Sequence, residues 1–173
     1  MNIFASFPCP ERSARYLDDT RIIKMVLESC QLMATAASMH GRWVEGFPYP
    51  SHVHHPLTKW VAAGRENFDW LWAHAWAMDY ERRCRYDNDR VHKTLDACWH
   101  ANMHRVRSAL PYGQTPFHNS ARNMELGIDF THIKDVHKAY RLYLKARWET
   151  QKRPAVCNIA GVMARGAHWR DHE

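Results

Sequence analysis

The sequence lacks the long apolar run of a membrane-spanning helix, since no segment reaches roughly 18 uninterrupted apolar residues. The N-terminus also lacks the basic-then-apolar order of a signal peptide. We therefore expect a soluble protein of the cytoplasm. With 173 residues, of which 46% are hydrophobic and 24% charged, the chain is long enough and apolar enough for one globular domain over residues 1–173.

Paired cysteines and nucleotide-binding loops are missing too. The five cysteines include no CxxC pair, and their odd number is typical of reduced thiols rather than a disulfide framework. No Walker loop, GxGxxG or GxSxG sequence occurs, so nucleotide-dependent and serine-hydrolase chemistry have no support. The histidine-rich stretch 52–55 lacks zinc-site spacing, and we expect no metal or other cofactor.

Acidic residues are outnumbered, with 18 Asp and Glu against 24 Lys and Arg, and 13 histidines add to the basic character. A formal net charge of +6 favours a polyanionic partner such as DNA or RNA. A merely basic surface is the alternative that charge alone leaves open.

Apolar periodicity predicts an all-α fold, a single compact domain of about five to six helices with a short extended N-terminus. Residues 111–132 are predicted as loop, and residues 150–173 as a basic tail without clear pattern. The predicted helices run from Pro10 to about Leu17, from Asp18 or Asp19 to about His40, from Pro56 to about Tyr86 with a break at Gly64, from about Asp89 to Leu110, and from Asp135 to Glu149.

A narrow polar strip interrupts the apolar segment RIIKMVLESCQLM, residues 21–33. Arg21, Lys24, Glu28 and Gln31 fit within an arc of about 80° on a helix, which predicts a central helix with one slot toward solvent or a cleft. One interpretation is a solvated strip with a Lys24–Glu28 pair. The other is a catalytic wall in which Arg21 and Lys24 hold an anion. There Glu28 acts as base or electrostatic stabiliser, and Gln31 orients a base edge or water.

Two further clusters suit an anionic substrate. His54 and His55 precede a helix start, where backbone N–H groups favour phosphate, although packing at the helix start is the alternative. Tyr80, Arg83 and Tyr86 form a basic and aromatic patch, with His92 nearby. Such a patch fits phosphate contact and base stacking, or else a solvated helix end.

Several segments, in order, resemble phage and bacterial proteins grouped with the pyrimidine-dimer DNA glycosylases of the endonuclease-V type. The resemblance covers about the first 95 residues and follows the pattern LD-x-x-R-x-x-K-x-x-x-E-x-x-Q, then HP-x-x-x-W. It implies an all-α enzyme that acts on a pyrimidine in duplex DNA. The segments are MNIFASFPCPERSARYLDDTRIIKMVLESCQLM, HVHHPLTKW, ENFDWL and YERRCRY.

In that family a glutamate on an early helix assists cleavage of the glycosidic bond, and the N-terminal amine is the nucleophile. The resemblance assigns the glutamate to Glu28 and contacts with phosphate or base to Arg21 and Lys24. The start of the chain departs from the family, because Asn2 is a large residue before which Met1 is normally retained. The amine would then belong to Met1.

A second resemblance competes, to phage amino acid:DNA transferases that join an amino acid to an activated 5-hydroxymethyluracil base in DNA. Such an enzyme takes DNA and a free amino acid or amine, and it needs no N-terminal nucleophile. Cations would hold a pyrophosphate leaving group while a base deprotonates the amine. A non-catalytic DNA-binding protein is the third alternative.

We therefore predict a DNA-binding enzyme that acts on a pyrimidine base, with base–sugar cleavage as the first hypothesis. The candidate catalytic residues are Glu28, Lys24, Arg21 and His55, and the candidate contacts to substrate or DNA are Asn2, Gln31, His54, Trp60, Asn67, Tyr80, Arg83, Tyr86 and His92.

Overall fold

The computed structural model describes residues 1–150, except for the side chains at positions 103 and 104. Its described part is mostly helical, which confirms the all-α prediction. The elements are α1 (Pro10–Arg15), α2 (Asp19–Met39), α3 (Pro56–Ala62), α4 (Arg65–Tyr86), α5 (Lys93–His100), α6 (Met103–Arg107), β1 (Arg122–Asn123), β2 (Ile128–Asp129) and α7 (Val136–Glu149).

Local signals in the sequence fix several helix ends. The Asp18 carboxylate accepts a hydrogen bond from the Arg21 backbone N–H at 3.1 Å and begins α2, and Asp135 begins α7 in the same way. The predicted break at Gly64 separates α3 from α4. Glycine is required there because a Cβ atom would lie 2.0 Å from the Gly113 carbonyl oxygen.

The predicted helix over residues 89–110 is divided in two. Asn102 lies between α5 and α6 with φ +62°, a left-handed conformation that does not continue a helix. Residues 89–92 are not helical, and the His92 backbone N–H donates to Asp79 Oδ1 at 2.9 Å. A local backbone conformation therefore overrides the helical pattern.

The segment predicted as loop, residues 111–132, contains a small antiparallel hairpin. Arg122 pairs with Asp129, and Asn123 with Ile128. A 3₁₀ turn over Met124–Leu126 joins the two strands, and Gly127 closes it with φ +63°. Each strand has two residues, too few for an alternating pattern that sequence could reveal.

Helix α2 is less enclosed than predicted. The structure leaves Ile23 44% and Leu27 38% exposed beside the polar strip, and Thr20 is exposed as well. The solvent-facing arc of α2 is therefore wider than the polar strip, because two apolar residues extend it. Its opposite face is buried and packs mainly against α3 and α4.

The N-terminal segment, residues 1–7, runs between α4 and α7. The His74 ring on α4 lies 3.1 Å from the Ile3 carbonyl oxygen. From α7, Arg141 donates to the Ser6 carbonyl oxygen at 2.7 Å, and the Phe4 ring stacks on Tyr143 at 5.9 Å. These contacts hold the start of the chain in the protein interior.

No helix within residues 1–150 combines the length and the hydropathy needed to cross a membrane. The predicted basic tail lies outside the described residues beyond Thr150.

Candidate active site

A cavity of about 560 Å³ opens where the N-terminal segment meets α2, β1 and α7. Two walls form it. We call its N-terminal wall the residues Met1, Asn2, Phe4, Thr20, Arg21, Lys24, Met25 and Glu28, and its C-terminal wall the residues Arg122, Asn123, Tyr143 and Arg147. Three of the four candidates on the polar strip, Arg21, Lys24 and Glu28, thus lie in one cavity.

Glu28 lies beside the start of the chain. Its Oε2 accepts a hydrogen bond from the Asn2 backbone N–H at 3.1 Å and lies 3.9 Å from the Met1 amino nitrogen. Its Oε1 lies 3.4 Å from Lys24 Nζ. Only 12% of the Glu28 side chain is exposed, whereas 70% of the Lys24 side chain is. A nearly buried carboxylate therefore has an amine on one side and a solvated ammonium on the other.

The first residues turn toward Glu28 for local reasons. Asn2 Oδ1 accepts hydrogen bonds from the backbone N–H groups of Ile3 at 2.8 Å and Phe4 at 3.3 Å. Phe4 has φ +53°, which is rare for an aromatic residue and reverses the chain direction. Asn2 was predicted to contact substrate or DNA; in this structure its side-chain oxygen is bonded to the backbone, and its own backbone nitrogen contacts Glu28.

Arg21 is nearly buried, unlike its neighbour Lys24 on the polar strip. It is 8% exposed, and its guanidinium pairs with Asp18 and lies 5.8 Å from the Phe4 ring centre. Asp18 Oδ2 also accepts a hydrogen bond from Trp148 Nε1 of α7 at 2.7 Å. Asp18 thus offsets the charge of Arg21 and joins α2 to α7 behind the cavity.

Sequence reasoning missed the C-terminal wall. Arg122 is exposed, and the Nε atom of Arg147 is buried without a hydrogen-bond partner in the structure. Tyr143 and Arg147 are one helical turn apart on α7, a spacing that the sequence does show. Nothing in that spacing indicates that α7 packs beside the N-terminal segment.

His55 begins α3, where its Nδ1 accepts a hydrogen bond from the Leu57 backbone N–H at 3.2 Å. Burial lowers the pKa of His55, and the positive charge at the N-terminus lowers it further, whereas Glu28 opposes the shift. His55 is therefore within electrostatic range of the Glu28 cavity. Its neutral ring carries the proton on Nε2, because Nδ1 is the acceptor.

Gln31 and His54 do not line the Glu28 cavity. Gln31 is half-buried one turn beyond Glu28, and its backbone carbonyl oxygen accepts a hydrogen bond from the Thr35 hydroxyl at 2.7 Å. His54 is exposed in the loop before α3. Their predicted contacts with DNA stay predictions.

Trp60 and Asn67, predicted as contacts to substrate or DNA, both belong to the core of this structure. Trp60 is 4% exposed and stacks on Phe117 at 4.4 Å. Asn67 is fully buried and donates to the Trp60 carbonyl oxygen and to Thr115 Oγ1, each at 2.7 Å. In this structure their hydrogen bonds and ring contacts fasten the loop around Thr115 to α3 and α4, and their predicted contacts with DNA stay predictions.

The basic and aromatic patch is a separate region. Tyr80 is 50% exposed, and it lines a second cavity of about 510 Å³ together with Arg83. Buried Asp79 accepts a hydrogen bond from Arg83 Nε at 3.0 Å. Tyr86 is 44% exposed, and His92 has a pKa lowered by burial and by the neighbouring charge of Arg82. None of these four candidates lines the Glu28 cavity.

These features define a helical protein whose basic cavity holds a nearly buried carboxylate beside an amine, a site suited to an anionic substrate. Residues 1–94 match the model of a family described as pyrimidine dimer DNA glycosylase. The match spans more than half of the chain, so the chain belongs to this family and the resemblance is confirmed. No curated protein and no solved structure matches the chain. The family supports DNA as the substrate of a DNA-processing enzyme.

Proposed function

We propose that this protein cleaves the bond between a pyrimidine base and its deoxyribose in duplex DNA, with Glu28 as the catalytic carboxylate. One observation carries the proposal: Glu28 Oε2 lies 3.1 Å from the Asn2 backbone nitrogen and 3.9 Å from the Met1 amine. If Met1 is retained, its amine is the nucleophile. If Met1 is removed, the Asn2 nitrogen becomes an amine already in contact with Glu28.

The unprotonated amine attacks C1′ of the target nucleotide. The C1′–N1 bond breaks, and the pyrimidine leaves with the bonding electron pair and takes up a proton. The attacking amine gives up two protons in total: one is matched by the proton that the departing pyrimidine takes up, and the other passes to O4′ as the sugar ring opens, which leaves an imine between the N-terminus and C1′. The Glu28 carboxylate stabilises the positive charge that develops on the sugar, and its low exposure strengthens that effect.

Cations around the cavity would hold the DNA backbone. Lys24 is 70% exposed beside Glu28, so its ammonium can reach a phosphate without a large desolvation cost. Arg122 and Arg147 face the same cavity from the C-terminal wall. Arginine suits this task because its planar donors match phosphate oxygens in pairs.

His55 is proposed as a neutral hydrogen-bond donor to the substrate. Its lowered pKa keeps the ring uncharged near neutral pH, and its Nδ1 is occupied by the Leu57 N–H. The Nε2–H group is then the donor toward a base oxygen or a phosphate. A neutral donor adds directional contact and competes less with the amine for the Glu28 carboxylate than a charged imidazolium would.

Enzymes that excise a base commonly work on a nucleotide that has left the helix stack. A cavity of about 560 Å³ is within the range of small-molecule sites, on the order of 300–1,000 Å³. Phe4 and Tyr143 contribute aromatic surface to it. An extrahelical nucleotide would therefore have room beside these two aromatic rings.

The experiment uses duplex DNA with one thymine dimer and compares Glu28→Gln with the unaltered protein. We expect the cleavage rate to fall on the order of 10²–10⁴-fold. DNA affinity should be unchanged or higher, because a negative charge leaves a basic cavity. Glu45→Gln, in an exposed loop, is the matched control and should cleave normally.

Borohydride trapping tests the amine separately. The unaltered protein should form a covalent adduct with DNA, and a version with additional residues before Met1 should not. The intact mass of the protein identifies whether Met1 or Asn2 supplies the amine. A Glu28→Gln protein that cleaves normally, or an extended protein that still traps DNA, would contradict the proposed chemistry.

The charge of the cavity also favours a second candidate, transfer of an amino acid to activated 5-hydroxymethyluracil in DNA. Arg21, Lys24, Arg122 and Arg147 all line it, and several cations suit a pyrophosphate leaving group. In this reaction Glu28 would deprotonate the incoming amine. Nucleoside mass spectrometry after incubation with pyrophosphorylated hydroxymethyluracil DNA and amino acids distinguishes transfer, which adds mass to the base, from cleavage, which releases it. DNA binding with neither product would favour the non-catalytic alternative.

A further inference from the structure

The middle of α4 carries no charge on the side that faces solvent, just as on the side that faces the core. No Asp, Glu, Lys or Arg occurs within residues 70–78. The outward side of this segment is only half-buried, and it consists of Trp72, Ala73, Trp76 and Ala77. A helix segment that is apolar all round is ordinarily covered on every side. The outward face of α4 is therefore suited to contact with another surface.

A groove lies between this face and α1. It is the second cavity of about 510 Å³, and we call it the α1–α4 groove. Ala73 and Ala77 are small, so the surface is low beside the larger Trp76 and Tyr80, and another helix could approach closely there. The residues that line the groove are Glu11, Arg15, Ala73, Trp76, Ala77, Tyr80, Glu81 and Arg83.

A tryptophan from α5 enlarges the aromatic surface beside the groove. The Trp99 ring lies parallel to Trp72 at 6.3 Å and at right angles to Trp76 at 5.7 Å, and Trp99 is 50% exposed. Tryptophan, tyrosine and arginine are the residues that most often dominate the binding energy of protein–protein interfaces. The outward face of α4 thus has the composition of a protein contact.

The charges of the groove are of both signs, and they lie at opposite ends. Helix α1 runs beside α4 in the same direction, because His74 Nδ1 lies 2.9 Å from the Pro10 carbonyl oxygen and Arg15 Nε lies 3.5 Å from Glu81 Oε1. These two levels are about 10 Å apart along α4, at 1.5 Å per residue. Glu11, which follows Pro10, is therefore at one end and Arg15 at the other.

The carboxylate that the groove presents to solvent is that of Glu11. Glu81 is 2% exposed and is already paired with Arg15 and Arg85, whereas Glu11 is exposed. Arg83 adds a second guanidinium at the end that Arg15 occupies. A surface with an acid at one end and bases at the other is complementary to a copy of itself in the reverse direction.

We propose that the α1–α4 groove is the contact surface of a homodimer, in which two copies pack about a two-fold axis with their α4 helices antiparallel. The rotation brings Glu11 of each copy beside Arg15 and Arg83 of the other, and the tryptophan faces cover one another. A two-fold interface requires such a self-complementary surface. The α1–α4 groove shares no lining residue with the Glu28 cavity, so this inference is independent of the proposed function.

Sedimentation equilibrium of the full chain without DNA tests the pairing. The unaltered protein should shift from the mass of one chain to the mass of two as its concentration rises. Ala77→Arg fills the groove and brings like charges together near the axis, so we expect the Kd of the dimer to rise about 100-fold or more. Ala77→Ser leaves the groove open and should dimerise as the unaltered protein does.

A charge reversal tests the opposed ends of the groove. Glu11→Arg replaces attraction by repulsion twice in each dimer and should raise its Kd about ten-fold or more. Glu45→Arg makes the same change of charge in an exposed loop outside the groove and should have little effect. Because Glu11 is exposed, its replacement decides the question even where Ala77→Arg lowers the stability of the monomer.

The unaltered protein at the mass of one chain at every concentration would overturn the proposal. So would a dimer that Ala77→Arg leaves intact, because the contact would then lie elsewhere. Equal weakening by Glu11→Arg and Glu45→Arg would mean general repulsion between basic chains and would overturn the antiparallel arrangement. A single-chain protein whose affinity for single-stranded DNA falls in Tyr80→Ala would assign this face to nucleic acid instead.

Discussion

Of the residues around the Glu28 cavity, the N-terminal wall contributes the carboxylate and the amine next to it, whereas the C-terminal wall contributes two arginines, an asparagine and a tyrosine. The N-terminal wall lies wholly within the family match, and the C-terminal wall lies wholly outside it. Chemistry common to a family and recognition particular to one chain would divide in this way. The cavity thus combines one half inside the family match with one half outside it.

The two walls also differ in how they are held. The N-terminal wall is fixed by buried contacts, such as the Arg21–Asp18 pair and the hydrogen bond from Asn2 to Glu28. In the C-terminal wall, Arg122 is exposed and the Arg147 Nε atom has no hydrogen-bond partner among residues 1–150. Enclosed groups suit a reaction that needs fixed geometry, and groups with unused donors suit a ligand that arrives from solution.

The largest loss of stability should follow from replacing Asp18, which links α2 to α7 through Arg21 and Trp148. Asp18 caps α2, pairs with Arg21 and accepts a hydrogen bond from Trp148, and it is 1% exposed. Asp18→Ala should lower the free energy of unfolding by about 3–5 kcal/mol, because it removes one partner of a buried ion pair. Urea unfolding measures the loss.

Asp135→Ala is the matched control, because Asp135 caps α7 in the same way but is exposed. It should cost about 1 kcal/mol. Equal losses for the two variants would mean that Asp18 acts only as a helix cap and does not join the walls.

A smaller change in the free energy of unfolding should follow from lowering the pH, through His74, which contacts the N-terminal segment. Burial lowers the pKa of His74 from 6.5 to about 4, although the carbonyl groups of Pro10 and Ile3 favour the protonated ring. As the pH falls, the unfolded chain takes up this proton first. The stability from the neutral ring is therefore complete above pH 6.5 and decreases as the pH falls to about 4, by about 3 kcal/mol in total.

Unfolding free energies measured between pH 7.5 and 4 check this dependence. His74→Gln should flatten the curve, whereas His132→Gln, at an exposed position, should leave it unchanged. Amide protection factors at Ile3 and Phe4 should fall at low pH before those in α7, since His74 contacts the Ile3 carbonyl. A His74→Gln protein with an unaltered pH profile would assign the acid sensitivity to other groups.

Sequence reasoning grouped three residues of the N-terminal wall because they share one helix. Arg21, Lys24 and Glu28 are brought together by helical spacing alone, and the family pattern assigned them a role. Arg122 and Arg147 reach the same cavity only through long-range contacts, such as Phe4 with Tyr143 and Asp18 with Trp148. No period in the chain encodes those contacts, so the C-terminal wall could not be found in this way.

Trp60 and Asn67 show a second limit of the sequence reasoning, which included them among the candidate contacts to substrate or DNA. Both belong to the segments that carried the resemblance, yet the structure buries them in the core. A sequence motif includes residues that build the scaffold as well as residues that contact substrate, and it does not distinguish them. Asn67 could be recognised only from its position among Trp60 and Thr115, which tertiary structure alone supplies.

The smallest of these effects should test the C-terminal wall alone, through Arg147→Ala. A charge-assisted hydrogen bond to phosphate contributes about 1.5–3 kcal/mol, so DNA affinity should fall by about 10–100-fold. The slope of log K against log salt should decrease by about one if one phosphate contact is lost.

Arg42→Ala, an exposed loop substitution outside the cavity, removes the same charge and should weaken binding much less. At saturating DNA, Arg147→Ala should still cleave at a rate far above that of Glu28→Gln, because the amine and its carboxylate are untouched. If Arg147→Ala and Arg42→Ala weaken binding equally, the C-terminal wall adds only general positive charge, and recognition would belong to the N-terminal wall after all.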